Sequence, residues 1–193
     1  MSTRKPTRLS KQDWLLAGFA ALGEVGPSAL KAEPLARRLG TTKGSFYWHF
    51  ADLPAFHAAI LHQWEARAIP DIVEGLSEAQ TDVARLRRFG QIIAEKSAPS
   101  GKTGDAPDSG LGVEPAFRAW ALSDPDVAAA VARVDGQRLT YLCDLLRKVG
   151  ISNAEMARII YATSIGMDLL GDANTQDNTA AMGSLVDLVL ALR

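Results

Sequence analysis

Apolar residues recur at three- to four-residue spacing along almost the whole chain, and no segment alternates with a period of two. That periodicity leaves an all-α fold, because a half-buried strand needs alternation. Glycine and proline mark the breaks. The first helix is expected after Ser10, a natural N-cap, and runs to Leu22 with Trp14, Gly18 and Leu22 on one face. Gly26-Pro27 ends it. A short second helix follows from Ala32 to Leu39, with Pro34 in its first turn and Gly40 as its stop. Thr41 or Thr42 can cap a third, Lys43 to Phe50, and Asp52 a fourth, from about 52 to 68, with Phe56, Ile60 and Trp64 on one stripe. Pro70 breaks or kinks the fourth. Further helices are expected at about 82–97, 114–122, 125–149, 153–171 and 179–192, about nine in all. Between two of them, SAPSGKTGDAPDSGLG, residues 97–112, reads as a mobile loop.

The chain has 193 residues, room for one large domain or a small one joined to a larger. No apolar run approaches the roughly 20 residues of a membrane span. The basic N-terminus lacks the apolar stretch of a secretory signal. A single cysteine, Cys143, excludes an internal disulfide and a cysteine-based zinc cluster, and reads as a small buried apolar residue. These points favour a cytoplasmic protein. Charge is uneven. Residues 1–50 hold eight Lys/Arg against three acids, and residues 51–193 hold thirteen against nineteen. A basic segment on an acidic body suits a protein whose one end meets a polyanion.

The basic segment has the shape for that partner. Two short helices around Gly40, with Ala36 four residues earlier, make a helix-turn-helix pattern: alanine keeps the helices close and glycine takes the turn's backbone angle. In TTKGSFYWHF, residues 41–50, Phe46 and Phe50 are four apart and turn one side towards Leu35, Leu39 and the first helix. Thr42, Lys43, Ser45, Tyr47, Trp48 and His49 remain on or near the wet side. The N-terminus of such a helix enters the major groove, where Thr42, Lys43 and Ser45 can donate to base edges and nearby phosphates. Gly44 lets the backbone approach. Tyr47 and His49 suit phosphate oxygens, which position rather than specify. Trp48 has two readings, along the sugar-phosphate backbone or against the fourth helix.

With these residues, the stretch from about 9 to 66 resembles the DNA-binding domain of the TetR family of bacterial transcriptional regulators. The resemblance is carried by Gly26, Leu35-Ala36, Leu39-Gly40 and KGSFYWHF. It implies base or phosphate contacts from Thr42, Lys43, Ser45, Tyr47 and His49. More loosely, WALSDPDVAAAVARVDGQRL, residues 120–139, is similar to ligand-domain stretches of family members. Two positions depart. Lys31 stands where the family often has a capping Thr or Ser, so Ser28 caps from further back or the cap is lost. Leu53 stands where it often has a phosphate-binding Lys, which shifts weight to Arg4, Lys5, Arg8 and Lys11 as a minor-groove arm or a plain basic tail.

The resemblance divides the chain into a basic DNA-binding domain, 1–51, and an effector-binding and dimerisation domain, 52–193, joined through the helix at about 52–68. The last two helices carry apolar residues on more than one side (Ile159 to Leu170; Met182, Leu185, Val186, Val189 and Leu192), which suits a homodimer seam. Trp64, Phe89, Phe117, Trp120, Tyr141, Cys143 and Tyr161 are candidate pocket residues, and Asp168 is the conspicuous acid of an apolar run. Few charges fall among them, so a neutral or hydrophobic effector is expected. Catalysis finds no support. Gly101-Lys102-Thr103 lacks the partner glycine of a phosphate loop, His49, His57 and His62 lack metal-ligand spacing, and no nucleophile elbow occurs, so no cofactor or metal is expected. The function expected is a ligand-responsive regulator, most simply a repressor released from a palindromic DNA operator by a small effector. The alternative is a helical small-molecule or partner-binding protein that has lost specific DNA binding.

Overall fold

The computed structural model describes residues 9–96, 113–169 and 178–191. Arg4, Lys5, Arg8, the 97–112 segment, Leu170 and Leu192 lie outside them, as do the side chains of 93–96 and 168–169. The described residues are helical, with no strand: α1 Lys11–Val25, α2 Ala32–Arg38, α3 Lys43–Tyr47, α4 Leu53–Arg67, α5 Pro70–Gly75, α6 Asp82–Lys96, α7 Glu114–Ala121, α8 Pro125–Lys148, α9 Ala154–Leu169 and α10 Asn178–Leu190. Nine match the expected segments. The tenth, α5, begins at Pro70, so the proline both ends α4 and opens the next helix at the position where its missing N–H costs least. None is long and apolar enough to cross a membrane.

The helix starts follow local chemistry. Ser10 and Asp13 form a reciprocal capping box on α1, the Ser10 N–H donating to Asp13 Oδ2 at 2.6 Å. Asp52 accepts from the Ala55 N–H at 2.7 Å and caps α4. Lys31 makes no capping bond at α2, so that cap is lost rather than supplied by Ser28. At the other end of α2, Gly40 has φ 63°, the Gly40 N–H donates to Arg37 O at 3.2 Å and the Thr41 N–H to Ala36 O at 2.9 Å. That paired closure needs a left-handed residue, which glycine supplies without strain.

Two apolar cores hold the helices. One gathers α1–α4 with α7 and the first half of α8: Trp14, Leu22, Leu35, Phe46, Phe56, Ile60, Trp64, Phe117, Trp120 and Val134 among others. The second joins α5, α6, the rest of α8, α9 and α10 around Ile72, Phe89, Leu142, Ile160 and Met182. Packing is therefore continuous across residue 51. The candidate DNA-binding helices and α7 share one core, and α8 runs through both.

Candidate nucleic-acid interface

The aromatic crowd at 46–50 resolves by burial. Phe46 is 0% exposed and sits edge-on to Trp14 of α1 and Phe56 of α4, each with ring centroids 5.3 Å away. Phe50 lies 5.2 Å from Phe46 and 4.9 Å from Phe56. Edge-to-face rings at these separations contribute about 0.5–1.5 kcal/mol beyond their buried area. Phe46 is thus a peg that fixes a helix far too short to hold itself. The helical segment is shorter than the expected 43–50. Regular α-helix ends at Tyr47, and Trp48 and His49 form a closing turn in which the His49 and Phe50 N–H groups both donate to Phe46 O, at 3.0 and 3.1 Å.

What remains faces solvent. Thr42, Lys43 and Gly44 are exposed and Ser45 is half-buried. Tyr47 is 48% exposed and Trp48 83% exposed, so of the two readings of Trp48, packing against α4 is removed. His49 is half-buried, its ring 6.4 Å from Trp14. Thr42 occupies the N-cap of α3 with no side-chain capping bond, and Lys43 makes no ion pair among the described residues. Arg37 and Arg38, by contrast, are taken by Glu33 and Glu24. The Arg38 pair is a two-bond fork at 2.6 and 2.5 Å, and the Arg38 guanidinium beside Glu24 holds that carboxyl below its ordinary range. The end of α3 therefore presents uncommitted donors and a free cation. Leu53 packs against the first core instead of reaching outward, and Lys11 lies 5.3 Å over the Phe50 ring.

The candidate pocket residues do not converge. Trp64, Phe117 and Trp120 are buried in the first core, with Trp64 stacked on Phe117 at 4.4 Å. Phe89 and Tyr161 are buried in the second core, with Tyr141 and Cys143 at its margin. Tyr141 alone of them lines the open groove of about 670 Å³ beside α8, with Ile69, Arg133, Gly136, Gln137, Thr140 and Asp144. Asp168 lies on α9, its side chain outside the described residues.

Charge is present where the sequence reading expected little. Arg118 of α7 reaches both oxygens of Asp135 of α8 at 3.1 and 2.7 Å, and Glu114 at 2.6 Å. Tyr161 of α9 donates to Asp135 at 2.8 Å. Arg138 of α8 donates through Nη1 to Glu114 and to Tyr161 Oη at 3.3 Å. Desolvation opposes the charge on Arg138, but Glu114 and Tyr161 more than offset it, and its pKa stays above the ordinary value. Burial pushes the Tyr161 phenol well above its own, so it stays a neutral donor. The missed signal was positional. Val127, Val131, Val134, Arg138, Leu142 and Leu145 form one buried stripe of α8, and an arginine stands in an apolar place.

Residues 15–52 match the sequence model of the family described as bacterial regulatory proteins, tetR family. The tetracycline repressor protein class G of Vibrio anguillarum is 35% identical over 69 residues, 34% of this chain and 33% of that protein. The match thus spans about a third of that relative's length. Among solved structures, a putative TetR-family transcriptional regulator from Rhodococcus sp. superposes with a TM-score of 0.71 at 20% identity, covering 93% of this chain and 98% of that one. The fatty acid degradation regulator FadR of Bacillus halodurans gives 0.67 at 18% identity, covering 98% and 97%. These two share the fold, and the segment that forms α1–α3 carries the family's sequence. Residues 15–52 therefore match the tetR family of bacterial regulatory proteins in sequence, and the chain as a whole shares its fold with a solved structure described as a TetR-family regulator.

Proposed function

We propose that the protein is a ligand-responsive, DNA-binding transcriptional regulator that works as a homodimer. The observation that carries this reading is α3 itself: a short helix pegged by Phe46, with Thr42, Lys43 and Gly44 exposed at its start. In this reading Thr42, Lys43 and Ser45 meet the major groove, while Tyr47, Trp48 and His49 meet the phosphate backbone. Two copies place their α3 helices in successive major grooves about 34–36 Å apart, so the operator is a near-palindrome. The dimer forms through α9 and α10, where Ile159 and Leu188 are exposed beside the buried Ile160 and Val189. An effector in the 52–193 region favours a spacing that no longer fits, and DNA affinity falls. Repression follows most simply from such release. The protein is a binding protein with no catalytic step, and it acts where the DNA is, in the cytoplasm.

The test is a gel shift of the full chain against the DNA upstream of its own gene and its neighbours. Binding is expected to a near-palindromic segment. Lys43→Ala reduces discrimination between that segment and scrambled DNA, and Tyr47→Phe weakens binding to all sequences alike. A chain that binds no upstream segment is the partner-binding alternative. Light scattering that finds a monomer at micromolar concentration removes the dimer.

A further inference from the structure

Arg138 is 1% exposed, and its Nη1 is engaged by Glu114 and Tyr161. Its other two nitrogens, Nε and Nη2, are fully shielded and have no hydrogen-bond partner among the described residues. These two are not an arbitrary pair. Their N–H bonds run parallel along one edge of the planar guanidinium, the edge that donates side-on to the two oxygens of a carboxylate. A buried donor left unpaired gives up its bond to water and gains nothing in exchange. Two on one charged group, at a stripe position where leucine or valine would pack, mark a group kept for something other than stability. The counter-charge on Arg138 is also only part-owned. Glu114 is shared with Arg118, and Asp135 is held by Arg118 and Tyr161. A further unpaired donor stands on α4, against α7. The indole N–H of Trp64 is buried without a partner, and Trp64 stacks on Phe117, one turn from Glu114.

We propose that the Nε–Nη2 edge of Arg138, at the meeting of α7, α8 and α9, anchors the carboxylate of a small acidic effector. This rests on the ligand-responsive reading above and replaces the neutral effector of the sequence reading with an acid. A carboxylate so bound competes with Glu114 for the same guanidinium. Glu114 opens α7, and α7 touches the DNA-binding helices directly: Phe117 against Phe19 of α1 with centroids 6.2 Å apart, and Trp120 against His57 of α4 at 5.1 Å. Occupancy at Arg138 is therefore reported to α1 and α4 through one helix.

The experiment uses the full chain and a panel of aliphatic and aromatic monocarboxylic acids, each paired with its own primary amide. At least one acid is expected to raise the melting temperature while its amide does not. Arg138→Lys keeps the charge but loses the parallel edge, and is expected to weaken that acid by about tenfold or more. In ¹³C,¹⁵N-labelled wild-type protein, the Arg138 Nε–H resonance, assigned by through-bond correlation along its own side chain to its backbone, is expected to shift downfield on adding the acid. That readout does not depend on a variant that could fail to fold. The inference is overturned if no acid stabilises the protein, if amides do as well as acids, or if the Nε–H resonance stays put while an acid binds. The same panel is then applied to the DNA complex. Release by a neutral compound with no acid bound overturns the carboxylate anchor and leaves ligand response standing. An acid that moves the Arg138 resonance without altering DNA affinity supports the anchor and removes its link to DNA.

Discussion

Single residues carry the local decisions in this fold. Asp13 is the clearest case for pH. The Ser10 backbone N–H, then the Ser10 hydroxyl, hold its carboxyl below the ordinary value. A depressed carboxyl contributes stability that is present above the unfolded value, about pH 4, and is lost as pH falls through the folded one. Asp13→Ala is therefore expected to lower stability by about 1 kcal/mol at pH 7 and by less at pH 3, read from urea midpoints at the two pH values. The roles of Ser10 and Asp52 as caps were legible because a capping residue acts on backbone within three positions of itself. The face assignment within 46–50 was legible for Phe46 and Phe50, whose four-residue spacing fixes one side. Trp48 was not, because its place depends on where the helix stops. Arg138 escaped for another reason. Composition and a count of nearby charges do not register one arginine on an apolar stripe, and only the register of α8 does.

At the level of elements, α2 and α1 offer opposite tests. The N-terminal cap of α2 has no side-chain bond from Lys31. Lys31→Ser supplies an oxygen there and is expected to add about 1 kcal/mol in chemical denaturation. A gain of nothing would mean that water already satisfies those N–H groups. In α1, a Cβ on Gly18 would stand 2.7 Å from Phe56 Cζ and 2.8 Å from Ile60 Cδ1. The ring cannot swing aside inside a packed core, so Gly18→Ala is expected to cost about 1–3 kcal/mol despite alanine's better helix propensity. A stabilised Gly18→Ala protein would show that α1 and α4 can separate freely. The nine long or strongly punctuated helices were readable from spacing and from Gly and Pro. The helix α5 was not, because Pro70 is compatible with a kink, a stop or a start. The choice among these belongs to the packing of Ile72 in the second core.

The whole molecule is organised by α7 and α8. The α7 helix joins the core that holds the DNA-binding helices, and α8 passes through both cores. Unfolding is therefore expected as one transition. Tryptophan emission reports the first core through Trp14, Trp64 and Trp120, and far-ultraviolet circular dichroism reports all helices. Urea midpoints that differ between the two signals would show that the cores melt independently. The pairing of segments into these two cores was not legible in the sequence, since each stripe says only that it is buried. The candidate pocket aromatics show the consequence: read as a list they suggest one cavity, and folded they divide between two cores. Their burial also gives the protein a built-in optical asymmetry. Three of the four tryptophans are nearly or fully shielded from water, while Trp48 alone is 83% exposed, at the end proposed to meet DNA. Long-wavelength emission and iodide quenching therefore belong to Trp48. Docking on an operator can be followed from that single ring, in unmodified protein, with no label attached.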